Sequence, residues 1–275
     1  MSYSVGDEVH ATEVGSDLWN NLHTSDVWQD WFLTPLDGLL TKPGMVDNSP
    51  LAAFLENMLA PFDDFGRRIT LGTVDANTGT FYRFDQNNTT FHEMAKAALS
   101  SASIPVVFPP TPWEGRGLFL DGGTATNVNV EDAIFQCMDL VDNESEIYID
   151  VMLIGGDKIV DDDTDVGKTM SNWMRARSIG KPYHGGNAIA DARAAHPNVN
   201  FRYVIGQRGG YQGVGQIFFN GDHTWPLQET GRQQAQEALN AGEGVHFDLY
   251  MKWLETTELQ KSYPNWTDYV YSGNK

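Results

Sequence analysis

Ala97-Ala98-Leu99-Ser100-Ser101-Ala102-Ser103-Ile104-Pro105-Val106-Val107-Phe108-Pro109-Pro110, a short spacer, and Leu118-Phe119-Leu120-Asp121-Gly122-Gly123-Thr124-Ala125-Thr126-Asn127-Val128 together decide the fold. The first block reads as the end of a helix running into small residues and stopping before Pro105, because the residue preceding a proline is pushed out of helical geometry. The second reads as a short apolar strand, Gly117 to Leu120, delivering Asp121 to a pair of glycines. Glycines let the backbone turn sharply and leave an acid at a strand end open to a neighbouring group. As a dipeptide, Asp-Gly is equally a common turn former.

Upstream of this stretch, Thr90-Phe91-His92-Glu93 has the spacing of a capping box, opening a helix that carries Phe91, Met94, Ala95, Ala98 and Leu99 on one face. Before it, Arg68 to Asp75 and Thr80 to Asp85 read as two strands joined through the turn Asn77-Thr78-Gly79. Earlier still, Ser49 is the expected cap of a helix with Pro50 at its first position. Leu51, Phe54, Leu55, Met58 and Leu59 follow at helical spacing. Residues 1–31 carry a further helical pattern, closed by the loop residues Pro35, Gly38, Pro43 and Gly44.

Downstream, a helix is expected from Val130. Ile147 to Ile154 is nearly continuous in apolar residues, the pattern of a strand buried on both faces of a parallel sheet. Asn200 to Ile205 repeats it more weakly, and helices are expected over Gln228 to Ala241 and His246 to Leu259. Strands alternating with helices argue for an α/β layered domain. Gly206 to Gly215 lacks the lysine and serine of a phosphate-binding loop and reads as a mobile loop, and Asp161 to Asp165 as a solvated acidic one.

Composition narrows the function. The 41% hydrophobic and 12% aromatic residues are ample for a buried core. A net charge of -19 argues against nucleic acid and against docking on anionic lipid, since both need a basic face. No apolar run approaches the roughly 18 to 20 residues of a membrane helix. Seven histidines show no metal-ligand spacing, so neither a metal nor a cofactor is expected. Cys137, the single cysteine, lies in an apolar run and reads as a buried small hydrophobe. The start of the chain does not read as a signal peptide. Acceptor patterns for N-glycosylation at Asn87, Asn88, Asn143 and Asn265 are a faint pointer to a secreted or lumenal setting, reached through a leader on an absent N-terminal block.

The ordered combination of an Ala/Ser-rich helix, a proline-phenylalanine segment, an Asp-Gly-Gly turn and a following Asn resembles the second signature block of patatin-like phospholipases. The resemblance extends upstream through Leu18-Trp19-Asn20-Asn21-Leu22, Val27-Trp28-Gln29 and Asp47-Asn48-Ser49-Pro50-Leu51, and covers about residues 15 to 155. It implies a three-layer α/β fold with a central, mostly parallel sheet. The chain is then one partial domain over 1–275, with 156–275 completing the fold. It also implies a lipid or other acyl-ester substrate and chemistry by a serine and an aspartate without histidine. The serine stands on a Gly-x-Ser-x-Gly elbow, and a glycine-rich loop supplies the oxyanion donors.

The aspartate maps to Asp121 as proton acceptor, with Gly122 and Gly123 shaping its turn. The other parts map to nothing: no serine in the chain has glycine two positions before it. Ser100, Ser101 and Ser103 lie on the wrong side of the chain order to be the elbow serine, and Ser100 and Ser103, weighed as a substitute nucleophile, are read instead as small residues allowing close packing. Asn127 and Asn129 are expected to fix the turn through side chain to backbone bonds. The expectation is therefore a patatin-like chain missing its first strand and nucleophile elbow, inactive as written. The alternative is a non-catalytic binding or assembly subunit whose exposed sheet edge is covered by a partner chain.

Overall fold

The computed structural model describes residues 6–31, 41–153, 186–206 and 218–272. The expected loops at Gly206 to Gly215 and Asp161 to Asp165 lie outside these residues, except for Gly206 itself. The chain divides into two compact units, Met1–Asn127 with Phe218–Thr224, and Val128–Ile217 with Trp225–Lys275.

The first unit contains the helices α1 (Glu8–Asn21), α2 (Thr24–Val27), α3 (Ser49–Leu59) and α4 (Met94–Ser101) and the strands β1 (Thr70–Asp75), β2 (Phe81–Asp85), β3 (Thr111–Trp113) and β4 (Gly117–Asp121). The strands form one sheet in the order β2-β1-β4-β3. Short connections dictate its geometry: β1 turns into β2 through Asn77 to Gly79, and β3 into β4 through Glu114 to Arg116, so both pairs are antiparallel. A parallel pair would need a crossover of a dozen residues or more. The pairing of β1 with β4 is antiparallel as well, with Thr73 opposite Asp121. The mostly parallel sheet expected from sequence is thus replaced, in this unit, by an antiparallel one.

Its core is aromatic. Phe84 and Phe119 are fully buried, Phe84 stacks on Trp113 at 4.6 Å, and Met94, Ala95 and Ala97 of α4 pack against them. The helix starts shift by a residue or a turn from their sequence positions. In α3, Ser49 is the first helical residue and Asn48 the cap. Asp47 completes that terminus, accepting from the Ser49 backbone N–H at 2.9 Å and from the Ser49 hydroxyl at 3.0 Å. The Glu93 carboxylate accepts from Thr90 N–H and hydroxyl at 3.0 and 2.9 Å, which holds the turn from which α4 begins at Met94. These bonds keep the Glu93 carboxyl below its usual range.

The second unit holds α5 (Val130–Met138), β5 (Tyr148–Leu153), a helical stretch over 186–195 and β6 (Asn200–Gly206). They are followed by α6 (Gly221–Ala241, its first turn in the first unit), α7 (Val245–Glu255), α8 (Thr257–Ser262) and α9 (Trp266–Ser272). Here β5 and β6 are parallel, with a register shift between Ile149 and Asp150. Ile134, Ile147, Ile189, Val204, Phe247, Trp266 and Val270 form the core.

Strand β5 departs from the sequence expectation. It alternates, with Ile149 and Val151 buried while Tyr148 and Met152 are 56% and 69% exposed. Asp150 shares the exposed side, where it takes a two-point ion pair from Arg202 at 2.9 and 2.5 Å. A run that is apolar apart from one aspartate thus tolerates water on the face the aspartate marks. Cys137 is half-buried rather than buried. Asn265, one of the four glycosylation patterns, is 6% exposed.

Candidate active site

Asp121 is the last residue of β4 and caps the 3-10 turn Gly122–Thr124. Its own N–H donates to Ser103 O at 2.9 Å, and its carboxylate Oδ1 accepts from Gly123 N–H at 2.6 Å. The backbone enters the turn at φ -47, ψ 128, so the side chain folds back over the two glycines. A carboxylate held by a backbone N–H has its rotamer fixed.

The two glycines meet different surroundings, backbone at Gly122 and side-chain ends at Gly123. A Cβ on Gly122 would lie 2.5 Å from the carbonyl carbon of Gly72 and closer still to its oxygen, so the turn rests directly on the β1 backbone. A Cβ on Gly123 would lie 2.7 Å from Asp121 Oδ1 and would also run into the Asn127 side chain. Gly72 is constrained in turn, because the Phe81 ring sits 2.6 Å from where its Cβ would be. Sequence reading missed Gly72. Its only signal is a glycine inside a strand, the usual mark of a close backbone approach.

The serine-rich segment does more than pack. Ser100 hydroxyl donates to Lys96 O at 2.8 Å, Ser101 to Gly72 O at 2.8 Å, and Ser103 to Leu99 O at 2.9 Å. Buried Ser103 also pairs with the Thr111 hydroxyl at 2.9 Å. The following residues are stitched to an earlier loop, with Met45 N–H donating to Val106 O and Val46 N–H to Val107 O at 2.9 and 3.2 Å. Val106 adopts φ 74, a strained conformation for a β-branched side chain, and the Met45 bond holds it there.

Of the two asparagines expected to fix the turn, Asn127 presses its side chain against Gly123, whereas Asn129 donates to the Asp132 carboxylate at the start of α5. The latter is a side chain to side chain bond, not the backbone bond anticipated. Among the described residues no group of three or more histidine, cysteine or acidic side chains is placed to hold a metal ion, and no helix is long and apolar enough to cross a membrane.

A strand-borne aspartate folded over paired glycines, behind a hydroxyl-rich helix end, lies in the stretch that the family model Patatin-like phospholipase matches, residues 10–134. This segment belongs to the patatin-like family. The match covers all four strands of the antiparallel sheet and ends within α5, short of the limit near residue 155 anticipated from sequence. The mixed α/β structure agrees with the patatin-like fold, although the direction of pairing in the larger sheet differs from expectation. Patatin-like proteins are lipid acyl hydrolases, and their substrates are lipids. A search of curated proteins gave no match to the chain.

Proposed function

We propose that this chain carries the proton-accepting half of a serine-aspartate lipid acyl hydrolase, with Asp121 as the acceptor. The observation that supports this most is the Asp121 carboxylate locked by Gly123 N–H at a strand end inside the patatin-like segment. In this reading the chain is one partial patatin-like domain, completed by the residues beyond 155. The serine that Asp121 serves comes from residues outside these 275. Asp121 takes the serine proton as the serine oxygen attacks the ester carbonyl and gives it to the alcohol as the ester bond breaks; it then takes a proton from the water that attacks the acyl-serine and returns it to the serine oxygen as the acid leaves. The backbone donors for the oxyanion lie with the missing nucleophile. No serine in this sequence meets the Gly-x-Ser-x-Gly pattern, so the chain by itself is inactive and Gly122 and Gly123 act only to shape the turn.

A second reading, a non-catalytic subunit, is favoured by one observation: the two-stranded parallel pair β5-β6 leaves Tyr148 and Met152 exposed. Parallel sheets are ordinarily covered on both faces.

The test of the first reading has two arms. The chain alone is assayed on p-nitrophenyl esters and with a serine-directed fluorophosphonate, and no turnover and no labelling are expected. Asp121→Asn then changes nothing measurable. Turnover abolished by that substitution would show that a nucleophile is present within the chain. In the second arm a segment bearing Gly-x-Ser-x-Gly is supplied, in cis or in trans. Activity that appears and is lost in Asp121→Asn supports the assignment. Activity that survives the substitution refutes it, and failure of any such segment to restore activity favours the non-catalytic subunit.

A further inference from the structure

Ser101 lies at the C-terminal end of α4, on the same element as Ser100 and two residues before Ser103. Its hydroxyl donates across to Gly72 O, in the middle of β1, at 2.8 Å. That same Gly72 carbonyl is the surface on which Gly122 rests, since a Cβ there would stand 2.5 Å from the Gly72 carbonyl carbon and 3.1 Å from Thr73 N. A Cβ on Gly72 would lie 2.6 Å from the tip of the Phe81 ring. A glycine peptide is also the softest in a strand, having the widest choice of backbone angles. The seat of the Asp-Gly-Gly turn is therefore a glycine peptide of β1 whose carbonyl also takes a hydroxyl bond from outside the sheet.

We infer that Ser101 is a positioning residue for Asp121, acting through the Gly72 carbonyl and Gly122 to set where Gly123 N–H meets the carboxylate. Ser103 supports the same end from the other side, because its carbonyl accepts from Asp121 N–H at 2.9 Å. The serine-rich stretch thus supplies hydroxyl and carbonyl partners to the acid's surroundings, and the Ser101 hydroxyl reaches a backbone carbonyl rather than the carboxylate itself. The inference rests on Asp121 being the functional group of the site.

Ser100 provides an internal control. It lies on the same helix and also donates one hydroxyl bond to a backbone carbonyl, Lys96 O at 2.8 Å, with no link to Gly72. Both Ser100→Ala and Ser101→Ala delete one such bond, so a purely structural role predicts similar effects from the two. The readout is the Gly123 amide signal in the full chain labelled with 15N-glycine, followed through a pH titration. Its N–H donates to the Asp121 carboxylate, so its shift and midpoint report that contact directly.

Ser101→Ala is expected to move the Gly123 signal and raise its titration midpoint by about 0.5 pH, as a weakened bond to the charged carboxylate would do. Ser101→Thr keeps the hydroxyl and restores both, and Ser100→Ala leaves both unchanged. Should Ser101→Ala fail to fold, Ser101→Cys, isosteric but a weaker donor, is read in the same way. A Gly123 signal in the Ser101 variants that behaves as it does in Ser100→Ala would overturn the inference. The signal reports the carboxylate's geometry whether or not a nucleophile meets it. A negative result here leaves the proton-acceptor assignment standing, and a failed complementation leaves the positioning role standing.

Discussion

Substituting Gly122 with alanine tests whether the Asp121 turn is seated on backbone, as the structure has it. The new methyl carbon would lie 2.5 Å from the Gly72 carbonyl carbon and 3.1 Å from Thr73 N, all main-chain atoms of β1. No rotamer relieves such a clash, so the turn must lift from β1. Two hydrogen bonds that Gly122 O accepts, from Ala125 and Thr126 N–H at 3.0 Å each, are then strained, as is the register of Thr73 against Asp121. Overpacking typically costs about 1 to 3 kcal/mol, and a clash confined to backbone belongs at the upper end, so a loss of about 3 kcal/mol is expected. Gly79→Ala calibrates the measurement: Gly79 has φ +72 with nothing within 4 Å of a Cβ, so it carries backbone strain alone, about 1 kcal/mol. Urea titration should be followed on amide signals of residues 71–74 and 118–120, because two compact units need not unfold together. Gly122→Ala no more destabilising than Gly79→Ala would refute the seating of the turn on β1.

Ser103→Ala is expected to cost about 1 to 2 kcal/mol by leaving the buried Thr111 hydroxyl without its partner. Adding Thr111→Val should recover part of that loss, and strictly additive effects in a double-mutant cycle would count against the pairing. Asp47 supplies a pH signature. Its burial disfavours the charged form, but bonds from the Gln29 amide and from the Ser49 backbone and hydroxyl outweigh it and hold the carboxyl below its usual range. The stabilisation is therefore present above about pH 4 and lost as pH falls through the lowered value. The melting-temperature gap between the wild type and Asp47→Asn should accordingly shrink on moving from pH 6 to pH 3, and a gap that widens would reverse the sign.

What the sequence disclosed and what it hid divide along the range of the interactions. The turn at Asn77 to Gly79, the strand leading to Asp121 and the helix holding Met94 and Leu99 are written in neighbouring residues, and each forms, although that helix starts about a turn later than its pattern puts it. The pairing of β1 with β4, which sets Asp121 opposite Thr73, joins residues 48 positions apart, and no local pattern records it. Gly72 is hidden likewise, looking like a weak point in a strand until Gly122, far along the chain, rests on it beside Phe81 of the adjoining strand. The serines were the hardest to read. A small residue that permits close packing and one that donates a bond across 29 positions are spelled alike, and only the carbonyl at the far end tells them apart. Ser100 bonds within its own helix and Ser101 reaches out to the seat of the turn. Adjacent and chemically identical residues therefore carry different consequences for Asp121, and the difference lies in the direction each leaves the helix.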